Sequence, residues 1–319
     1  MKRKIFLFIM SSSLLLFPLL NYKQTYSFTK EDHKHKTIRI GYQKNGPLVI
    51  LKSLGTLEDA LEPLGYTVEW KEFQSGPMLV EALNAGSIDV GRTGNTPAIF
   101  AQAAGASIVF LAAGKPKFLG SGILVPKDSP IQSVADLKNK TIGFAKGSSS
   151  HYLLLKALED VGLNVQNITP AFLQPGDARI AFEQGKIDAM VVWDPYTAST
   201  EINSKGKMLT NGEGLSSDRD FFVATEKFAS NHQEVTGIFI EYVEKSSKWA
   251  NNNHDALVSM LAPILHIDKP TIERMVKRRE YGIDEMSDEI IQEQQDIADI
   301  FYELNIIPKQ INVEDAMKK

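Results

Sequence analysis

Hydroxyl and amide side chains are concentrated in short loops that precede helical patterns. These loops carry Gly, Ser, Thr, Asn or Asp, and most carry Pro: "QKNGP" (43–47), "QSGP" (74–77), "TGNTP" (93–97), "KGSSSH" (146–151), "QPGDA" (174–178) and "WDPY" (193–196). Each loop alone is typical of a helix cap with proline in the first turn. A helix N-terminus also offers unpaired N–H groups and about half a positive charge. Several such loops around one cleft would suit a compact anion with equivalent oxygens, without an arginine.

Other chemistries of the serines lack their sequence patterns. The chain has no G-x-S-x-G and no G-x-x-x-x-G-K-[ST], and "GEGLSS" (212–217) lacks the third glycine of a dinucleotide fingerprint. With no cysteine, thiol catalysis, disulfides and Cys-based metal sites are excluded. The six histidines form no H-E-x-x-H motif. The sequence therefore predicts no catalytic residue, no metal site and no cofactor.

Two residues near these loops indicate a ligand larger than an anion. Trp193 ends a strand-like run directly before Asp194 and Pro195. It either packs in the core or forms an apolar wall for a carbon chain attached to the anion. Asp194 either caps the helix that begins at Pro195 or accepts a hydrogen bond from an amino group of the ligand.

Composition limits the partners. The chain has 319 residues, of which 43% are hydrophobic, and a net charge of −4. It is long enough for one large core or two smaller ones. Because no basic stripe is present, we expect no nucleic-acid partner, and an anionic ligand must be held by local groups.

The first residues predict export. Lys2, Arg3 and Lys4 precede an apolar run, which is followed by polar sequence, and this order is typical of a signal peptide covering residues 1–27. The alternative is an uncleaved membrane anchor. We expect a monomer that is periplasmic or extracellular, at the outer face of the membrane. Because the chain has no cysteine to carry a lipid, it should not be lipid-anchored through cysteine.

The elements that must position these loops alternate between strands and helices, which predicts α/β domains with mainly parallel sheets. From Gln233 onward the pattern is almost wholly helical. Two pairs of segments also repeat in order: "IGYQK" (40–44) returns as "IGFAK" (142–146), and "GSID" (86–89) as "GKID" (185–188). The repeat predicts two similar doubly wound domains.

The helical tail indicates how these domains are connected. If the chain crosses between domains near "SGILVP" (121–126) and returns near "DFFVAT" (220–225), the tail completes the first domain. Domain 1 would then comprise residues 37–121 and 224–319, and domain 2 residues 122–223. Two crossing strands form a hinge, and a hinge between two domains creates a ligand cleft.

Several segments resemble aliphatic sulfonate-binding proteins, the periplasmic or extracellular solute-binding components of ABC importers. The resemblance runs from about Thr37 to the C-terminus and is carried by "RIGYQK", "EALNAGSIDVGRTGNTPAIFAQAAG", "VADLKNKTIGFAKGSSSHYLLLKAL", "ARIAFEQGKIDAMVVWDPY" and "QQDIADIFYELNIIPKQINV". It implies the type II periplasmic-binding-protein fold, an alkanesulfonate ligand, and delivery to an ABC permease with a separate ATPase.

Carried onto this sequence, the resemblance assigns ligand contacts to loop residues. Those expected to surround the sulfonate group are Gln43, Gly76, Thr93, Gly94, Asn95, Ser148, Ser149 and His151. Trp193, Asp194 and Tyr196 would line the organic tail. The sequence departs from the family pattern at Arg92, where a small residue is expected, and at Asn95, where aspartate is common.

Other functions remain open at this point. Within the same class, the ligand could be taurine, nitrate or a thiamine-precursor pyrimidine. From another class, an enzyme on the same scaffold is an alternative, although a desulfinase of that lineage would need a cysteine nucleophile. A third alternative is a surface sensor that keeps its N-terminal helix.

Overall fold

The computed structural model describes residues 36–204 and 206–317. The predicted signal peptide, residues 1–27, lies outside them. The described strands are β1 (Lys36–Tyr42), β2 (Tyr66–Glu72), β3 (Val90–Gly94), β4 (Ile108–Gly114), β5 (Ser121–Pro126), β6 (Thr141–Phe144), β7 (Thr169–Phe172), β8 (Ala189–Trp193), β9 (Gly206–Asn211), β10 (Asp220–Thr225) and β11 (Ile283–Asp284).

Helices cover both sheets and form most of the C-terminal third. They are α1 (Pro47–Leu54), α2 (Thr56–Leu61), α3 (Gly76–Asn84), α4 (Asn95–Ala103), α5 (Ser149–Asp160), α6 (Pro175–Glu183), α7 (Tyr196–Asn203), α8 (Glu226–Asn231), α9 (Gln233–Asn252), α10 (His254–Leu265), α11 (Lys269–Lys277) and α12 (Asp288–Glu303). Among the described residues, no helix combines the length and hydropathy needed to cross a membrane.

The strands form two sheets with the same arrangement. The first sheet has the order β11-β4-β10-β3-β1-β2, and the second has the order β7-β6-β8-β5-β9. β1 pairs in parallel with β2 and β3, and β6 pairs in parallel with β7 and β8. The repeated sequences "IGYQK" and "IGFAK" begin in β1 and β6, which hold equivalent places. The prediction of two similar doubly wound units is therefore confirmed.

Parallel pairing does not extend through the whole of either sheet. β10 is antiparallel to β3 and β4, and β5 is antiparallel to β8 and β9. The expectation of mainly parallel sheets therefore holds for the strands within each repeat and fails for β5 and β10. These are the strands on which the chain enters one sheet after leaving the other, so they are not joined by a βαβ crossover that would make them parallel.

We call residues 36–114 and 220–317 the first lobe, and residues 121–204 and 206–211 the second lobe. The connecting segments between the lobes are residues 115–120 and 212–219. The predicted boundaries, with domain 2 at residues 122–223, stay a prediction. The boundary at residue 223 falls within β10, whose partners β3 and β4 both belong to the first sheet.

Both faces of the first sheet are buried under apolar side chains. In β10, Phe221 and Val223 belong to one apolar cluster, whereas Phe222 and Ala224 belong to another. This alternation follows from the two-residue period of a strand. Since helices cover both faces, ligands can reach the sheet only at its edges, where parallel strands end and helices begin.

Candidate functional site

A small cavity lies where the parallel strands of both lobes end. Its volume is about 20 Å³, and the first lobe contributes loop residues together with one arginine. These first-lobe residues include Gln43, Asn45, Gly76, Arg92 and Gly94. A cavity of this size holds about one water molecule, so the residues on its opposite sides lie close together.

The second lobe and the connecting segments close the cavity from the other side. Ser148 and Ser149 line it at the start of α5, and Trp193 lines it at the end of β8. Lys117 and Asp218 line it from the two connecting segments. This side of the wall is thus made of four separate parts of the chain that only the fold brings together.

Most of the helix N-termini around the cavity have no side-chain cap. α1, α3, α4 and α5 all begin at its wall, and α1, α3 and α5 have no side-chain hydrogen bond to their first N–H groups, whereas in α4 Asn95 Oδ1 accepts from Thr96 N. Ser148 is placed as the N-cap of α5, yet its Oγ donates to the carbonyl oxygen of Ala145 at 2.7 Å. The free N–H groups and the positive ends of these helices can therefore act on an anion.

Two glycines allow the walls to approach. A Cβ on Gly94 would lie 2.1 Å from Ser149 Oγ, so any side chain at residue 94 would collide with the second lobe. A Cβ on Gly76 would lie 2.4 Å from Thr93 Oγ1 and 2.6 Å from Pro97 Cγ. Both glycines are required by packing, not by backbone torsion.

Arg92 is buried in the cavity wall, with 2% of its surface exposed. Its Nη1 donates to Asn45 Oδ1 at 2.8 Å and to Gln43 Oε1 at 3.1 Å, and its Nη2 donates to Asp220 Oδ1. Among the described residues, its Nε has no hydrogen-bond partner, nor does Gln43 Nε2. Both atoms are donors, as an anionic ligand requires.

A cluster of charges surrounds Asp220 behind this wall. Asp220 Oδ2 accepts from Arg279 Nη2 at 2.9 Å, and Lys117 Nζ lies 3.6 Å from Oδ1. Burial raises the pKa of Asp220, but Arg92, Lys117 and Arg279 outweigh burial and hold that pKa far below its usual range. Asp220 therefore stays ionised and offsets part of the positive charge.

A second cavity opens beside Trp193 and leads away from the anion site. It measures about 250 Å³ and shares Gln43, Asn45 and Trp193 with the small cavity. Tyr196 lines it, and burial raises the pKa of this phenol, which keeps it neutral. The two cavities together offer a polar end and a wider, partly aromatic end on either side of one tryptophan.

Four predicted contacts line neither of these two cavities. Thr93 is fully buried, and its Oγ1 has no partner among the described residues. Asn95 Oδ1 accepts from Thr96 N at 2.8 Å, and its Nδ2 donates to Ser216 Oγ at 3.4 Å. Asn95 therefore faces its own helix and a connecting segment.

His151 and Asp194 are likewise occupied elsewhere. His151 Nδ1 accepts from Gly147 N at 3.3 Å, and its ring lies 5.2 Å from that of Phe301 in the first lobe. Burial, with a smaller contribution from Lys146, lowers the pKa of His151 to about 4, so the ring is neutral at pH 7.

Asp194 Oδ1 accepts from Ala198 N at 3.0 Å and from Thr197 Oγ1. It therefore holds the start of α7, as one of the two sequence interpretations had it. Arg278 Nη1 lies 3.5 Å from the same oxygen. Burial raises the pKa of this carboxyl, and Arg278 and the two hydrogen bonds oppose that effect.

Arg92 and Pro97 line the cavity without having been selected as ligand contacts, and three further lining residues were not selected either. Asn45 belongs to the loop "QKNGP", which was singled out, but only Gln43 was selected from it. Lys117 and Asp218 lie in irregular segments with no motif, and their pairing at 2.7 Å depends on the approach of the two connections. A charged residue shortly before each predicted crossing segment was the available signal.

A larger cavity, of about 640 Å³, lies farther along the cleft. Apolar side chains such as Met78, Phe100 and Phe172 contribute to its lining. Its lining does not include Arg92 or Gln43, whose buried donors have no partner among the described residues and which line the small cavity. The small cavity is therefore the better candidate for recognition of an anionic group.

Comparison with known proteins agrees with this geometry. A sequence model described as "NMT1/THI5 like" matches residues 65–256. The chain belongs to the NMT1/THI5-like family. A protein of Bacillus subtilis named for aliphatic sulfonate binding is 37% identical over 289 residues, which cover 90% of this chain and 87% of the relative. The resemblance inferred from the loop motifs is therefore confirmed.

Solved structures extend the agreement to the fold. The alkanesulfonate-binding protein SsuA of Xanthomonas axonopodis pv. citri, bound to MOPS, has a TM-score of 0.86 and 36% identity, over 88% of this chain and 98% of that one. The periplasmic aliphatic sulphonate binding protein SsuA of Escherichia coli has a TM-score of 0.81 and 36% identity, over 89% and 92%. The type II periplasmic-binding-protein fold is confirmed.

An enzyme shares the fold at a greater distance. The desulfurization enzyme DSZB has a TM-score of 0.62 and 13% identity, over 88% of this chain and 96% of that one. This likeness concerns the fold alone. The relatives that are 36–37% identical to this chain are named as binding proteins.

Proposed function

We propose that the protein is an extracytoplasmic solute-binding protein that captures aliphatic sulfonates and delivers them to an ABC permease with a separate ATPase. The observation that carries the proposal is the convergence of helix N-termini without side-chain caps, those of α1 and α3 from the first lobe and of α5 from the second, on one buried cavity. Such a site satisfies a group with three equivalent oxygens and no proton to donate. The names of the similar proteins support the same ligand class.

Ligand capture follows from the two-lobe arrangement. The sulfonate would bind first to one lobe, and the second lobe would then close so that donors from both surround it. Ser148 and Ser149 would act from the second lobe, with Gln43, Gly76 and Gly94 opposite them. The carbon chain would pass Trp193 into the wider cavity beside Tyr196. Thr93, Asn95, His151 and Asp194 would support the walls without touching the ligand.

Binding without catalysis fits the residues available. The chain has no cysteine, so the nucleophile that a desulfinase of this lineage would need is missing from the sequence. Export as a monomer, with residues 1–27 removed, is part of the proposal. Mass spectrometry of the secreted protein tests that part, since a mature N-terminus near Phe28 excludes a retained anchor.

Isothermal calorimetry on the mature protein tests the ligand. Ethanesulfonate, a longer alkanesulfonate, taurine, nitrate and sulfate are titrated in a buffer that is not itself a sulfonate. We expect tight binding of the alkanesulfonates and none of sulfate. Binding of nitrate alone, or of no anion, would refute the assignment.

The serine loop provides a matched pair of variants. Replacing Ser148 and Ser149 together by alanine removes hydroxyl groups from the wall of the cavity. Because hydrogen bonds to charged groups contribute about 1.5–3 kcal/mol, affinity should fall by about 10- to 100-fold or more. Ser150 is buried beside them, does not line the cavity and has no partner among the described residues. Ser150→Ala should therefore bind ethanesulfonate as the parent does.

A further inference from the structure

The two connecting segments form a charged wall of the anion cavity. Lys117 N donates to the carbonyl oxygen of Ser217 at 3.0 Å, and Lys117 Nζ lies 2.7 Å from Asp218 Oδ2. Both side chains line the cavity, and each is at least nine-tenths buried. The segments that join the lobes therefore also contact the place where the ligand's charge must lie.

Asp218 is unexpected in the wall of an anion site. It is 3% exposed, and its Oδ2 accepts from Ser121 Oγ as well as from Lys117. Its Oδ1 is buried and has no hydrogen-bond partner among the described residues. A buried carboxylate repels an anionic ligand, so it weakens binding and must be explained by another benefit.

The charges around the cavity suggest that benefit. Three cations, Arg92, Lys117 and Arg279, contact two carboxylates, Asp218 and Asp220, which leaves one positive charge. The neighbouring pairs balance, because Arg274 and Arg278 face Glu201 and Asp194. A ligand with one negative charge neutralises the cavity, whereas a ligand with two leaves an uncompensated buried charge, which is costly.

We infer that Asp218 restricts this cavity to singly charged anions and so allows the protein to reject sulfate in favour of sulfonates. The inference rests on the proposed function and adds the residue that sets the charge of the ligand. Asp218 repels a dianion about twice as strongly as a monoanion at the same distance, because the Coulomb energy is proportional to charge. Removing its charge must therefore favour the dianion.

Calorimetry on three variants tests the inference. Asp218→Asn keeps the shape and removes the charge, Asp218→Glu keeps the charge, and Ser121→Ala removes a hydrogen bond to Asp218 without changing the charge. Sulfate and ethanesulfonate are titrated into each variant. The ratio of their dissociation constants should shift at least tenfold toward sulfate in Asp218→Asn and stay near the parent value in the other two.

Each outcome has one meaning. If the parent binds no sulfonate, the proposed function fails. If the parent binds ethanesulfonate and rejects sulfate while Asp218→Asn keeps the parent ratio, the proposed function stands and the inference is overturned. An equal gain in affinity for both anions also overturns it, because charge selectivity would be unchanged.

A second measurement on the parent covers the case in which Asp218→Asn does not fold. Methylphosphonate has the shape of methanesulfonate but gains a second negative charge as pH rises through about 6 or above, as phosphate groups do. His151, with its pKa lowered to about 4, stays neutral over this range. Affinity for methylphosphonate should fall at least tenfold between pH 5 and about pH 9, where the dianion is the main form, while that for methanesulfonate stays constant. Equal affinity for methylphosphonate at both pH values would refute the selection for one charge.

Discussion

Gly94 and Ser149 meet across the cleft with no space for a side chain at residue 94. A Cβ at that residue would lie 2.1 Å from Ser149 Oγ but 3.4 Å from Ser149 Cβ. The backbone of Gly94 has φ −81° and ψ −177°, which alanine adopts without strain. Gly94→Ala therefore changes the contact between the lobes and leaves the conformation of β3 and α4 intact.

The expected cost follows from the overlap. Ser149 must rotate, or the lobes must close less far, and forcing an extra methyl group into a packed contact costs about 1–3 kcal/mol. Because 1.4 kcal/mol is a factor of ten, the dissociation constant for ethanesulfonate should rise by about 5- to 150-fold. Ser149→Ala removes the colliding oxygen, and the remaining Cβ–Cβ separation of 3.4 Å is an ordinary contact.

A double-mutant cycle measured by calorimetry separates the clash from other effects. Gly94→Ala should cost much less affinity in the Ser149→Ala background than alone, with a coupling energy of about 1 kcal/mol or more. Gly176→Ala is the control, because a Cβ on Gly176 meets nothing within 4 Å although the residue lines the wider cavity. Additive losses, or parent-like binding by Gly94→Ala, would refute the closure geometry described here.

Two further predictions concern stability rather than binding. Burial is the main reason why the pKa of His151 is lowered from 6.5 to about 4, so the unfolded chain binds this proton more readily than the folded chain. The free energy of unfolding should therefore be highest above about pH 6.5 and fall by about 3 kcal/mol as the pH is lowered to 4 and below. His151→Phe should reduce this dependence on pH in urea titrations. Ser287 Oγ accepts from Ile290 N at the start of α12, and Ser287→Ala should lower the free energy of unfolding by about 1 kcal/mol with ethanesulfonate affinity unchanged; a loss of affinity would show that α12 contributes to the site.

The parts of the fold that sequence predicts well are those specified locally. The runs that became β1, β3, β6 and β8 combine β-branched residues with a following Gly- or Pro-containing loop, and these signals need no tertiary contact. β9 and β11 give only weak strand signals, because β9 is half-buried along most of its length without alternation and β11 has two residues. The antiparallel direction of β5 and β10 depends on the path between lobes, which no local pattern records.

The residues of the site also fall into two groups, those in loops with a local sequence pattern and those brought together only by the fold. Loops of recognisable composition contain Ser148, Ser149, Gln43 and Gly94, and the resemblance to sulfonate-binding proteins selected these residues within them; all four line the small cavity. Lys117 and Asp218 were not selected, since their meeting requires two connecting segments to lie side by side. Local sequence does not decide whether Arg92 faces the cleft, because its ion pair is with Asp220, a residue on a strand far along the chain.

Helix capping explains why the serine loop was ambiguous and how the structure resolves it. A capping side chain and an anionic ligand compete for the same N–H groups, so one sequence pattern serves both. Thr225, Asp268 and Ser287 accept from the helices that follow them, and none lines the anion cavity. Ser148 instead donates its proton to the carbonyl oxygen of Ala145. Among the described residues, this leaves the N–H groups of α5 without a side-chain partner close to the start of α3 in the first lobe, and we propose that an anion supplies the missing acceptor.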